Sequence, residues 1–172
     1  PWVHLKTPFR ESEALIRTLS GHGSTIYDCA VSPDGKWIIS TCWDKTLIVW
    51  DADSGNVVRT IENATMPIAF SPDESWIVTN SPGKIFDVTL VIRDFRTGAV
   101  LHTLEGHDSS IKDCAVSPDG RWLVSASWDE TLKVWGASSG EELRTLKGHT
   151  DNIECCAINP DGSWIVSAGR DG

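Results

Sequence analysis

The sequence predicts an all-β chain of repeated four-stranded sheets, and three observations lead there. A turn string, Ser-Pro-Asp-Gly, runs from Ser32 to Gly35 and returns from Ser71 to Glu74, Ser117 to Gly120 and Asn159 to Gly162. Its prolines, Pro33, Pro72, Pro118 and Pro160, are spaced by 39, 46 and 42 residues, and Trp37, Trp76, Trp122 and Trp164 each follow by four. A Gly-His pair (Gly21-His22, Gly106-His107, Gly148-His149) sets each His eleven residues before a turn proline. A period near ~42 residues with these marks belongs to sheets of four short strands placed side by side.

Each repeat justifies its strands in turn. The first strand reads Ile26 to Val31, Ile68 to Phe70, Ile111 to Val116 and Ile153 to Ile158. Ser-Pro-Asp-Gly then suits a type I turn, with Pro fixing φ and Gly closing it. The second strand opens at Trp37, Trp76, Trp122 and Trp164, and the third covers Thr46 to Trp50, Thr89 to Arg93 and Thr131 to Trp135. The fourth follows the turn signals Ser54-Gly55, Thr97-Gly98 and Ser139-Gly140. The runs are apolar on both faces, as expected for sheets packed between neighbours. In the fourth strand Arg59, His102 and Arg144 occupy matching positions, with Arg17 in an earlier copy. Charge there guards a sheet edge against further pairing, and a basic ligand stripe is the alternative.

Gly-His, Ser-Pro-Asp-Gly and Trp50-Asp51, in order and repeated, give the chain from Ala14 to Gly172 its resemblance to the WD-repeat β-propeller family. The resemblance implies three full four-stranded blades plus part of a fourth, a fragment of a larger ring. The blades fall at about 23–61, 65–104 and 108–146, with an incomplete one at 150–172 and an outer strand at 14–19. It also implies that each sequence repeat straddles two blades. Residues 1–13 are expected to be a connector, similar to the one entering the C-terminal propeller of apoptosome-like and bacterial signalling ATPases. No phosphate loop is present in the sequence. The second blade departs from the pattern. It has Asn63-Ala64 for Gly-His and Arg93-Asp94 for Trp-Asp, so weaker bracing is expected there.

Composition narrows the function. The formal net charge is −9 across 172 residues, which repels phosphate backbones and makes nucleic acid a poor default partner. No apolar run reaches membrane-spanning length, so no membrane partner is expected. Five cysteines, an odd number, include Cys29, Cys114 and Cys156 at matching positions. They read as small core residues in a reducing compartment, and a cytoplasmic location is expected. No His-x-x-x-His or Cys-x-x-Cys spacing occurs among the five histidines, so no metal site and no cofactor are expected.

Ser, His and Asp recur together as His22, Ser40, Asp44 with Trp50, as His107, Ser125, Asp129 with Trp135, and as His149, Ser167, Asp171. These are the residue types of a hydrolase triad. An active site needs one cleft and one oxyanion hole, not a copy per blade, so the chain is read as a non-enzyme. The resemblance implies a buried structural bracket. In it His from the entering loop bonds Asp in the turn and Ser on the second strand, and the Trp indole joins them.

The resemblance also places the usual partner-binding site on the narrower face of the disc, around the central channel. Trp43, Phe86, Trp128 and Arg170 precede the turn Asp, and Tyr27, Lys112 and Glu154 lie in first strands. Trp, Tyr and Arg dominate binding hot spots. The expected function is therefore a protein- or peptide-binding scaffold, the interaction or sensor module of a larger protein. The alternatives are that Trp43 and Trp128 only cover the ends of neighbouring blades, and that the chain is a structural segment that self-associates with other copies to close a ring.

Overall fold

The computed structural model describes residues 18–81 and 88–172. The expected connector, residues 14–17 of the expected outer strand, and Phe86 lie outside the described residues. The first sheet contains β1 (Ile26–Val31), β2 (Trp37–Cys42), β3 (Thr46–Asp51) and β4 (Val57–Glu62). The second contains β5 (Thr65–Phe70), β6 (Trp76–Asn80), β7 (Thr89–Asp94) and β8 (Val100–Glu105). The third contains β9 (Ile111–Val116), β10 (Trp122–Ser127), β11 (Thr131–Gly136) and β12 (Glu142–Lys147). A two-stranded sheet, β13 (Ile153–Ile158) with β14 (Ile165–Gly169), follows. All pairings are antiparallel between consecutive strands, which makes each sheet a meander, the form of a propeller blade. Among the described residues no helix is long and apolar enough to cross a membrane.

Turn chemistry sets the first hairpin of every blade. Gly35 N–H donates to the Ser32 carbonyl at 2.9 Å, closing the turn. Ser32 Oγ accepts from Trp37 N–H at 3.0 Å and donates to Asp34 at 2.7 Å. Ser71 and Ser117 do the same for Trp76 and Trp122, and Asn159 supplies its amide oxygen to Trp164 N–H at 2.9 Å. The repeated Ser thus satisfies a backbone donor where the strand begins. Gly35, Gly120 and Gly162 have φ near 70°, where a Cβ is disfavoured.

The hydrophobic core lies between blades rather than within them. Ile39, Leu47, Val49 and Ile61 of the first blade pack on Ala64, Ile68 and Ile77 of the second. Val78, Leu90, Ile92 and Leu104 meet Ile111, Cys114, Leu123 and Trp135 of the third. Val124, Ala126 and Leu132 meet Ile153 and Cys156 of the fourth. Alternation along each central strand sends one set of side chains forward and the other back. This explains the absence of a polar face in β2, β3, β6 and β7.

Two polar devices join the same interfaces. Asp28 accepts from Ile68 N–H of the next blade at 3.1 Å, and Asp113 from Cys156 N–H at 2.9 Å. Burial raises the pKa of both carboxyls, against the opposing pull of these backbone bonds. Arg59 donates to the carbonyls of Phe95 and Arg96 and lies over the Phe95 ring. Its guanidinium therefore clamps the next blade as well as sitting on an edge strand, and the edge-guard reading is revised accordingly. His102 occupies the same interface position one blade on. A Cβ built on Gly140 would lie 2.9 Å from the Cβ of His102, so only Gly fits there.

Candidate functional site

The bracket is most complete in the third blade. His107 enters on the loop before β9, Ser125 sits on β10, Asp129 in the β10–β11 turn and Trp135 on β11. His107 Nδ1–H donates to Asp129 at 2.6 Å, and Ser125 Oγ–H donates to Nε2 at 2.7 Å. Trp135 Nε1–H donates to the same Ser125 oxygen at 2.8 Å. Asp129 also accepts from Thr131 Oγ at 2.6 Å. Burial alone would raise the Asp129 pKa. The bonds from His107 and Thr131 outweigh it and hold this carboxyl well below the usual carboxylate range.

The fourth blade repeats the arrangement, with His149 2.8 Å from both Asp171 and Ser167. The first blade brings His22, Ser40 and Trp50 together at 2.7 and 2.8 Å, but His22 Nδ1 stands 4.0 Å from Asp44. Asp44 is held by Thr46 and by Gly23 N–H instead. The Thr46 hydroxyl is the main cause that lowers its pKa to about 2. Among the described residues His22, Cys42 and Asp44 form a cluster whose ligand atoms lie within 4.8 Å of one another.

The second blade carries a substitute bracket. Arg93, in the Trp position, donates to Thr79 Oγ at 3.2 Å, to the Asn63 carbonyl at 2.8 Å and to the Gly98 carbonyl at 3.2 Å. Thr79 holds the place of Ser40, and the chain ahead of β5 is tied down through its backbone rather than through a His. The expectation of weaker bracing in the second blade did not count the five donors of one guanidinium.

At one rim of the blades the face residues divide into two groups. Tyr27 and Trp43 pack with ring centroids 5.3 Å apart and planes tilted by 51°, and Trp43 is 68% exposed. Trp128 is half-buried between two cations, Lys112 Nζ at 4.6 Å and the Arg170 guanidinium at 5.3 Å from its ring centre. Arg170 also pairs with Glu154 at 2.6 Å. The structure therefore brings Lys112, Trp128, Glu154 and Arg170 into one cluster and sets the Tyr27–Trp43 pair in another. Sequence reading missed the roles of Asp28, Asp113 and Arg93. The repeated acidic residue inside Tyr27-Asp28-Cys29 and Lys112-Asp113-Cys114 was the available signal for the first two.

The repeated meander and bracket match a known pattern. The WD domain, G-beta repeat family matches residues 13–51, 98–136 and 140–172. The chain belongs to the WD-domain family. The unmatched stretch contains the Arg93 repeat, and the match from 98 to 136 begins just ahead of β8 and ends with β11, so a WD repeat here straddles two blades. The ribosome biogenesis protein WDR12 homolog of Drosophila persimilis is 33% identical over 118 residues, 63% of this chain and 27% of that protein. Human pre-mRNA-processing factor 17 is 27% identical over 122 residues, 70% of this chain and 21% of that protein. The crystal structure of the RRP9 WD40 repeats superposes with a TM-score of 0.78 at 26% identity, covering 89% of this chain and 47% of that one.

The chain thus spans about a quarter of the length of these curated relatives and about half of the solved structure. The relatives are named for ribosome biogenesis and pre-mRNA processing, which are nuclear and nucleolar processes, and this overturns the cytoplasmic expectation. The physical reason is that unpaired thiols signal a reducing milieu, and the nucleus shares that milieu with the cytosol. The same relatives give no support to a signalling ATPase or to a bacterial source.

Proposed function

We propose that the chain is a non-catalytic protein- or peptide-binding platform within a larger protein, with the Tyr27–Trp43 pair as its main anchor. One observation carries this reading: a Trp exposed to 68% and packed at a tilt against a Tyr exposed to 45% offers a large rigid aromatic surface to a partner. Trp128, flanked by Lys112 and Arg170, adds cationic and aromatic surface at the same rim. The bracket residues argue against catalysis on geometric grounds. Ser125 is fully buried, and its oxygen is held between an imidazole and an indole, so no substrate reaches it. The relatives' names support placing the platform in ribonucleoprotein assembly. The expectation of no nucleic-acid contact is therefore withdrawn for the Trp128 cluster, whose ring and cations suit a base and its phosphate.

Affinity purification of the whole protein, wild type against a Tyr27→Ala/Trp43→Ala double variant, tests the anchor. Loss of two hot-spot aromatics is expected to deplete at least one direct partner by tenfold or more, about 1.4 kcal/mol or above. An identical partner set, with and without ribonuclease, contradicts the assignment.

A further inference from the structure

We infer that the first blade holds a zinc ion on His22, Cys42 and Asp44. The three side chains come from separate elements, the entering loop, the end of β2 and the β2–β3 turn, and their ligand atoms converge within 4.8 Å. The other brackets serve as internal controls. His107–Asp129 and His149–Asp171 close to 2.6 and 2.8 Å, which leaves no room for an ion between them. In the first blade the same pair stands 4.0 Å apart. Two N or O ligands at ~2.0–2.2 Å from zinc at a tetrahedral angle lie roughly 3.3–3.6 Å apart, a spacing that the 4.0 Å pair reaches by closing about 0.4–0.7 Å around the ion, whereas the closed pairs would have to break their hydrogen bonds.

A thiol accompanies the opening. Cys42 is fully buried, whereas the aligned residues in the third and fourth blades are Ser127 and Gly169. Imidazole, thiolate and carboxylate are a borderline-soft donor set that suits zinc better than magnesium or calcium.

The surroundings supply the outer shell that such a site needs. Ser40 lies 2.7 Å from His22 Nε2, so Nε2–H donates to a hydroxyl that also accepts from Trp50, while Nδ1, 3.3 Å from Thr46 Oγ, exchanges that contact for the metal. Thr46 fixes the carboxylate by donating to the Asp44 oxygen that faces away from His22. Binding releases the Cys42 thiol proton to solvent, and thiolate plus carboxylate then balance the two charges of the ion. Water completes the fourth position. No motif announces the site, because residues 22, 42 and 44 meet only when the sheet folds.

The test uses the 172-residue chain with its two exposed thiols removed (Cys29→Ser, Cys155→Ser), titrated with Zn²⁺ by calorimetry and with Co²⁺ by absorption. One equivalent of zinc and a thiolate-to-cobalt band in the near ultraviolet are expected. Adding Cys42→Ser, which installs the residue type of the third blade, is expected to remove the band and weaken zinc by about 100-fold or more with the melting curve kept. Zinc binding without the cobalt band, binding unchanged by Cys42→Ser, or no stoichiometric binding overturns the site. If Cys42→Ser fails to fold, the cobalt spectrum of the parent protein decides alone.

Discussion

At the residue scale the bracket is a chain of satisfied polar groups, and its value lies in what happens when one is removed. His107→Ala leaves the Asp129 carboxylate, largely buried at 11% side-chain exposure, without its strongest partner. The expected loss is about 1–3 kcal/mol in chemical denaturation, and an unchanged transition would argue against a structural bracket. Asp129 sets the sign of the pH dependence. Its folded pKa is depressed, so its contribution is fully present above the ordinary carboxylate pKa and is lost only as the pH falls through the lowered value. Backbone conformation adds a second prediction. Lys45 and Glu130 hold φ of 65° and 67° in the turn after the bracket Asp, where the fourth repeat has Gly172 at 87°. Glu130 is exposed, and Glu130→Gly is expected to raise stability by about 0.5–1 kcal/mol, the left-handed penalty less the entropy that Gly loses on folding. A lower melting temperature for that variant counts against this account of the turn.

Among the elements, much was legible from the turns alone. Ser-Pro-Asp-Gly followed by Trp located β1, β2, β9, β10, β13 and β14 because each residue answers a local demand: fixed φ, a donor satisfied, a strand begun. β5 runs from Thr65 rather than Ile68, because edge pairing with β6 extends past the apolar residues that marked it. What stayed hidden was long-range. Arg59 finds the carbonyls of Phe95 and Arg96 and Asp113 finds Cys156 only after blades stack. The opened His22–Asp44 pair is likewise invisible in a Gly-His signature identical to its neighbours. The buried joints predict a pH effect opposite to that of Asp129. Asp113 has a raised folded pKa, so ionising it costs the fold, and stability falls as the pH climbs from the ordinary carboxylate range through that raised value. Asp113→Asn, which keeps an acceptor oxygen, is expected to remove that slope in pH-dependent unfolding, and an unaltered slope assigns it elsewhere.

For the whole molecule, the binding rim and the bracket are consequences of one arrangement: flat sheets that cover each other's apolar faces. Burial between blades fixes the entering loops and turns, and those turns carry Trp43, Trp128 and Arg170. On the two-stranded sheet Trp164 and Val166 remain 58% and 51% exposed, so the isolated 172-residue chain is expected to self-associate, and a monodisperse monomer in light scattering would contradict this. The most direct test of the stacking itself is hydrogen exchange on Ile77→Ala. Ile77 belongs to the second blade and is fully buried against Ile39, Leu47, Val49 and Ile61 of the first. A cavity there costs about 2–5 kcal/mol. Interblade packing predicts faster exchange in β2 and β3 of the first blade as well as in β6 and β7. Acceleration confined to the second blade would contradict it.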